Sequence, residues 1–124
     1  MRALTHVQSL LGNLPDKLSD EYFEPLLETS SFRLERIVSL GHSTPEGEWY
    51  DQSEDEWVIL LQGCARLILG DQPEEMTMRP GDMLLIPAHC RHRVTWTDPE
   101  HATVWVALHF RPDTERPATL PQNQ

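Results

Sequence analysis

Residues 49–63, WYDQSEDEWVILLQG, are the most informative stretch of the sequence. A segment of polar residues is followed there directly by an apolar strand. Alternation along the strand separates an inner face from an outer face. The inner face carries Glu56, Val58 and Leu60, and the outer face carries Trp57, Ile59 and Leu61. A strand that is apolar on both faces is normally covered on both. We therefore expect the N-terminal segment or a second subunit to cover the outer face.

The chain from residue 31 onward has the pattern of short strands separated by turns rich in Gly and Pro. Apolar and charged positions alternate after Phe32, as is typical of a half-buried strand. Many short strands at regular spacing favour a sandwich or a barrel. We predict strands at residues 32–38, 56–62, 64–69, 75–78, 83–86, 91–97 and 103–110.

The two ends of the chain have a different character. Apolar residues at intervals of three and four predict a short amphipathic helix that ends near Pro15. These residues are Leu4, Val7, Leu10, Leu11 and Leu14. Past Arg111, prolines among polar residues predict a mobile tail. We expect a helical or irregular extension at 1–30, one main domain at 31–111 and a flexible tail at 112–124.

The composition narrows the class of partner. Acidic residues number 20 against 10 basic ones in 124 residues, which gives a formal net charge of -10. This charge repels phosphate backbones and anionic lipids, so we expect no nucleic-acid and no membrane partner. No apolar run approaches the roughly 18 residues of a membrane span, and the N-terminus lacks the regions of a signal peptide. We therefore expect a cytoplasmic protein. The two cysteines, Cys64 and Cys90, are too few for a disulfide scaffold, and we expect them to be reduced.

Two motifs share a spacing that is typical of one family. Six residues separate Glu56 from Gly63, and five separate Gly81 from Pro87, with His92 following. This pair resembles the two motifs of the cupin family, whose first motif also contains His-x-His before the glutamate. The resemblance implies an all-β fold, the cupin double-stranded β-helix, which is a jelly-roll barrel with a site in its interior.

The resemblance also implies a metal site. The two family histidines fall on Tyr50 and Gln52, so the implied metal donors are Gln52, Glu56 and His92. A divalent Zn, Fe, Mn or Ni ion needs three or more donors and an open position for substrate. The alternative is a metal-free barrel in which Glu56 and His92 serve as general acid and base. Sugar-nucleotide epimerases with the cupin fold resemble that alternative.

Further residues are candidates for ligand binding. Tyr50 shares the inward parity of Gln52 and Glu56, and the last strand offers two alternatives. Either Trp105 and His109 line the interior, or Val104, Val106, Leu108 and Phe110 do so. His89 stands where the family has a glycine, and a turn role is expected because histidine tolerates positive φ. Glu54 and Asp55 are interpreted as solvated charges before the strand.

We therefore expect a small-molecule cupin enzyme that uses Glu56 and His92 together with a divalent metal. One alternative is a cupin that binds or senses a ligand without catalysis, and another is a metal-free isomerase or epimerase. The expected partner is a small-molecule ligand. The apolar outer face around Trp57 further predicts a homodimer, whose interface would resemble a domain core.

Overall fold

The computed structural model describes residues 6–70, 72–113 and 118–121. In these ranges the chain forms the strands β1 (Tyr22–Glu28), β2 (Phe32–Ser39), β3 (Asp55–Gln62), β4 (Ala65–Leu69), β5 (Met76–Met78), β6 (Met83–Ile86), β7 (His92–Thr97) and β8 (Thr103–Phe110). The seven strands predicted from residue 31 onward are confirmed, with each end within one residue. Alternating side chains and Gly/Pro turns were sufficient for that prediction because both are local features.

The strands form two antiparallel sheets. The order in the larger sheet is β1-β2-β8-β3-β6, and the order in the smaller sheet is β5-β4-β7. β8 lies at the centre of the larger sheet, where it pairs with β2 on one side and β3 on the other. In the described ranges, no helix has the length and apolar character that a membrane crossing needs.

The expected N-terminal helix is wrong for the described residues, none of which is helical. Tyr22–Glu28 instead forms β1, an edge strand that pairs with β2 and contains a bulge between Pro25 and Leu27. Proline lacks a backbone N–H and is tolerated at such an edge. A short helix is marginal alone, whereas β1 satisfies backbone groups of β2. Leu4, the first residue of the predicted pattern, lies outside the described ranges.

The segment before β1 is attached to the barrel by Arg36. This side chain is buried, and its Nη1 donates to the backbone carbonyls of Leu10 (3.0 Å) and Gly12 (2.8 Å). Its Nε lies 2.7 Å from Glu24 Oε1, although the Nε–H does not point at that oxygen. The described part of the N-terminal segment therefore contacts β2 through Arg36.

The core lies between the two sheets. Its fully or nearly fully buried members include Val58, Leu60, Leu67, Ile86 and Trp105. Val58 and Leu60 confirm the predicted inner face of β3, while Trp57, Ile59 and Leu61 are half-buried on the outer face. Val58, Leu67, Ile86 and Trp105 belong to this core and also line a cavity between the sheets.

Candidate functional site

A cavity of about 100 Å³ opens between the two sheets. Its polar lining consists of Glu21, Glu35, Tyr50, Gln52, Glu56 and His92. Its apolar lining includes Phe23, Ile37, Val58, Ile86, Val94 and Trp105. Seven strands contribute to this lining, so the barrel collects side chains that are far apart in sequence.

Glu56 is the centre of the polar lining. It is the second residue of β3, and it is only 8% exposed because β6 and β8 flank it. Gln52 Nε2 donates to its Oε1 at 2.7 Å, and His92 Nε2 lies 3.7 Å from the same oxygen. The structure thus brings together the three side chains that the motif spacing singled out.

His92 is held in one orientation by its neighbours. Its Nδ1 lies 3.0 Å from the carbonyl oxygen of Cys90. Because a carbonyl only accepts, Nδ1 carries a hydrogen, and the Nε2 of the neutral ring is left as an acceptor. Tyr50 stacks on the ring with a centroid distance of 5.5 Å, and the backbones of the two residues exchange hydrogen bonds of 2.8 and 3.0 Å. Nε2 is therefore aimed at Glu56 and the cavity.

Tyr50 stands at the mouth of the cavity and is 42% exposed. Partial burial raises the pKa of its phenol above the usual value, and the negative charge of Glu21 raises it further. A side-chain hydrogen bond with Thr44 lowers the pKa, and the charge of Glu56 raises it. The phenol consequently keeps its proton at neutral pH and can donate to a ligand.

A second carboxylate and imidazole lie beside the first pair. His109 is buried on β8 directly opposite Glu56, and its Nε2 lies 3.0 Å from Glu35 Oε1. Its Nδ1 is buried without a hydrogen-bond partner among the described residues. Glu35 lines the cavity, as does Trp105, whereas His109 lies behind Glu35. The inner face of β8 is thus the one that carries Trp105 and His109.

Two lining carboxylates were missed by the sequence analysis. Glu35 alternates with Arg33 and Ile37 in β2, and this parity was a usable signal because it places all three on one face. Glu21 lies directly before β1, in the segment for which the sequence predicted only a helical or irregular extension. Only the pairing of β1 with β2 brings it to the cavity mouth.

The interpretation of Asp55 as a solvated charge is also wrong. Asp55 is 4% exposed, and its Oδ1 accepts a hydrogen bond of 2.8 Å from the backbone N–H of Ala88. It therefore secures the loop that leads into His92. Glu54 is half-buried and pairs with Arg33 at 3.1 Å.

His89 lies in the loop before His92 and has a φ of 62°, which agrees with the expected turn role. Its side chain does not line the cavity.

The cavity lining offers only a few strong donors for a metal ion. Within residues 6–70, 72–113 and 118–121, no group of three or more His, Cys, Asp or Glu side chains could hold one. Glu56 and His92 are two strong donors, but Gln52 faces Glu56 with its Nε2 and would have to turn its amide group to offer the oxygen. The residues present therefore fall short of the usual set of three strong donors.

Two sheets around an interior site of this kind define a small cupin barrel. The family model for the cupin domain matches residues 36–109, and the chain belongs to this family. A search of curated proteins found no significant relative.

Comparison with solved structures agrees with this assignment. A protein of Ralstonia eutropha JMP134, provisionally named a mannose-6-phosphate isomerase, is 44% identical with a TM-score of 0.83, over 86% of this chain and 99% of that one. A cupin superfamily protein of Desulfitobacterium hafniense DCB-2 is 17% identical with a TM-score of 0.65, over 79% and 84% of the chains. The Fe(II) form of HppE is 17% identical with a TM-score of 0.64, over 79% and 54%. The last two likenesses show the fold alone.

Proposed function

We propose that this cupin is a small-molecule enzyme in which Glu56 and His92 transfer protons to and from a ligand held in the cavity. The observation that carries the proposal is the buried Glu56 carboxylate, which is oriented by Gln52 and faces His92 Nε2 across the cavity wall. We also propose a cytoplasmic location, and the two free cysteines, Cys64 and Cys90, are compatible with a reducing compartment.

The geometry suits two separate proton carriers. The distance of 3.7 Å between Glu56 Oε1 and His92 Nε2 is too long for a hydrogen bond, so each group can bind a ligand atom. The carboxylate can remove a proton from a carbon next to a carbonyl, while the protonated form of His92 gives its Nε2 proton to the carbonyl oxygen, so that an enol forms. In a hydroxycarbonyl compound, return of the Glu56 proton to the former carbonyl carbon, as His92 takes the proton of the neighbouring hydroxyl group, is isomerisation. Addition of a solvent proton to the other face of the first carbon, as His92 takes back its own proton, is epimerisation. The provisional name of the 44%-identical Ralstonia protein as an isomerase supports this class.

The test uses the wild-type protein in D₂O with a panel of small hydroxycarbonyl and aminocarbonyl compounds. Proton NMR should show loss of the signal of the hydrogen next to the carbonyl in the compounds that bind, as solvent deuterium replaces it. Binding without deuterium uptake throughout the panel would contradict the acid–base proposal. That result would favour the alternative of a cupin that binds or senses its ligand without catalysis.

A divalent metal is a second candidate, favoured by the anchoring of His92. A metal-binding histidine commonly donates its other ring N–H to a carbonyl or carboxylate, as His92 Nδ1 does to Cys90. With its amide group turned to present the oxygen, Gln52 would join Glu56 and His92 in holding a Zn, Fe, Mn or Ni ion, which would supply a Lewis acid at the ligand oxygen.

Under this second candidate, protein purified without chelator should contain close to one equivalent of metal by elemental analysis. Chelation should then lower the melting temperature, because an ion bound only by the folded state stabilises that state. His92→Ala should lose the metal, while His89→Ala, which changes an exposed histidine outside the cavity, should retain it. Equal melting curves with and without chelator, together with no metal in the protein, would remove this candidate.

We also propose a homodimer formed by the outer face of the larger sheet. Trp57, Ile59 and Leu61 are half-buried there, and Met83, directly opposite Ile59 on β6, is 51% exposed. Trp57 Nε1 lies 3.2 Å from Met83 Sδ, so the two side chains form one apolar surface. A stable obligate interface buries over about 2,000 Å² and resembles a domain core, so it needs an apolar surface such as this one.

Light scattering at micromolar concentration should give twice the mass of the chain, and Trp57→Glu should give the monomer mass, because a buried unpaired charge is costly. Val7→Glu is the matched control, since Val7 is 98% exposed in the N-terminal segment. A wild-type monomer would contradict the proposal.

A further inference from the structure

The cavity lining carries a net negative charge. Three carboxylates, those of Glu21, Glu35 and Glu56, line the cavity, whereas none of its lining residues is Lys or Arg within the part of the chain that the structure describes. Among the described residues, the only basic groups paired with these carboxylates are the imidazoles of His92 and His109. Even with both imidazoles protonated, three negative charges face two positive ones, so the site stays negative.

The three carboxylates are oriented by hydrogen bonds that use one oxygen of each. Ser39 Oγ donates to Glu21 Oε2 at 2.6 Å, and Ser39 itself receives a hydrogen bond from Trp105 Nε1 at 3.3 Å. His109 Nε2 holds Glu35 Oε1, and Gln52 holds Glu56 Oε1. Glu56 is 8% exposed, so its carboxylate lies on the cavity wall largely out of bulk water.

The nearest guanidinium groups are engaged outside the cavity. Arg33 lies on the inner face of β2, but it pairs with Glu54 at 3.1 Å. Arg91 and Arg93 lie over the ring of Trp49, at 4.7 and 5.9 Å from its centroid. The negative charge of the lining is thus not neutralised by these side chains.

The remaining lining is apolar and partly aromatic. Trp105 is buried at the base of the cavity, and Phe23 and Tyr50 stand at its mouth, each about half exposed. Aromatic faces attract organic cations, and carboxylates with free oxygens accept hydrogen bonds from an ammonium group. A phosphate ester would place like charges together where water screens them poorly, which is unfavourable.

We propose that the cavity selects a small organic cation, namely a primary ammonium group on a short apolar body, with the ammonium held by Glu35 and Glu56 and the body packed against Trp105. This inference rests on the proposed function, since it names the class of ligand for the same site. The proposed ligand is a cation, whereas mannose 6-phosphate, the sugar in the provisional name of the Ralstonia relative, is an anion.

The test compares probes that share a cyclopentyl body and differ in the charge of their polar group. Cyclopentylammonium, cyclopentanol and cyclopentanecarboxylate are titrated into the wild-type protein by calorimetry, with mannose 6-phosphate as a fourth probe. The ammonium ion should bind roughly tenfold or more tightly than the alcohol, because hydrogen bonds to charged groups are the stronger ones. The carboxylate and mannose 6-phosphate should not bind measurably. Equal binding of ammonium and alcohol, or binding of mannose 6-phosphate, would overturn the proposal.

Variants locate the effect in the cavity. Glu35→Gln keeps an oxygen for His109 Nε2 but removes the charge, and it should weaken binding of the ammonium probe about tenfold without changing that of the alcohol. Glu21→Gln provides a second charge-removing variant if Glu35→Gln does not fold. Glu46→Gln, an exposed loop residue, is the control and should bind like the wild type. Unchanged ammonium binding in both cavity variants would contradict the assignment.

The outcome separates this inference from the proposed function. If deuterium uptake depends on Glu56 but the ammonium probe shows no advantage, the ligand class is wrong and the acid–base function stands. If the ammonium probe binds selectively but aminocarbonyl compounds take up no deuterium, the ligand class stands and the catalytic function is wrong.

Discussion

Glu56→Gln is expected to slow deuterium uptake by a bound ligand by roughly 10²–10⁴-fold, the range in which a positioned general base contributes to catalysis. The amide cannot take a proton from carbon, yet its oxygen can still accept the hydrogen bond from Gln52 that holds the Glu56 side chain. The site should therefore keep its shape and lose its base. The rate is measured by proton NMR in D₂O at saturating ligand, so that weaker binding is not mistaken for slower chemistry.

The matched control for Glu56→Gln is Glu46→Gln, which removes the same charge from an exposed loop. It should exchange at the wild-type rate. His92→Gln should also lose rate, because the imidazole Nε2 that faces Glu56 is absent. An exchange rate in Glu56→Gln within a factor of about two of the wild type would mean that another group removes the proton.

Gly63→Ala is expected to lower the free energy of unfolding by about 2–5 kcal/mol, combining the strain of a left-handed backbone with the cost of overpacking. Gly63 has a φ of 89°, and an added Cβ would lie 2.6 Å from Thr103 Cα and 2.9 Å from the carbonyl oxygen of Ala102. Both are backbone atoms, and Thr103 is fully buried at the start of β8. Neither can move without disturbing the central strand of the larger sheet.

Urea denaturation followed by circular dichroism measures the effect. Gly47→Ala is the matched control, because Gly47 has a φ of 86° but an added Cβ would meet nothing within 4 Å. That variant should lose only the backbone strain, about 1 kcal/mol. If both variants lose the same amount, contact with Thr103 has no part in the requirement for glycine at position 63.

The site was only partly predictable from the sequence. Glu56, His92, Gln52 and Tyr50 were found because motif spacing and strand parity act locally, and the structure brings them together. Their chemical roles remain proposals. Asp55 was misjudged because its carboxylate is used by Ala88, which is 33 residues away in the sequence.

The positions of seven strands and the inner face of β3 could be predicted from the sequence, because alternation and turn residues depend on neighbours along the chain. That Tyr22–Glu28 is a strand follows from its pairing with β2, because the sequence predicted only a helical or irregular extension for residues 1–30. Only the tertiary structure placed Glu21 and Glu35 beside Glu56. The order β1-β2-β8-β3 sets these carboxylates around one cavity, and that order arises from pairing between strands far apart in the chain.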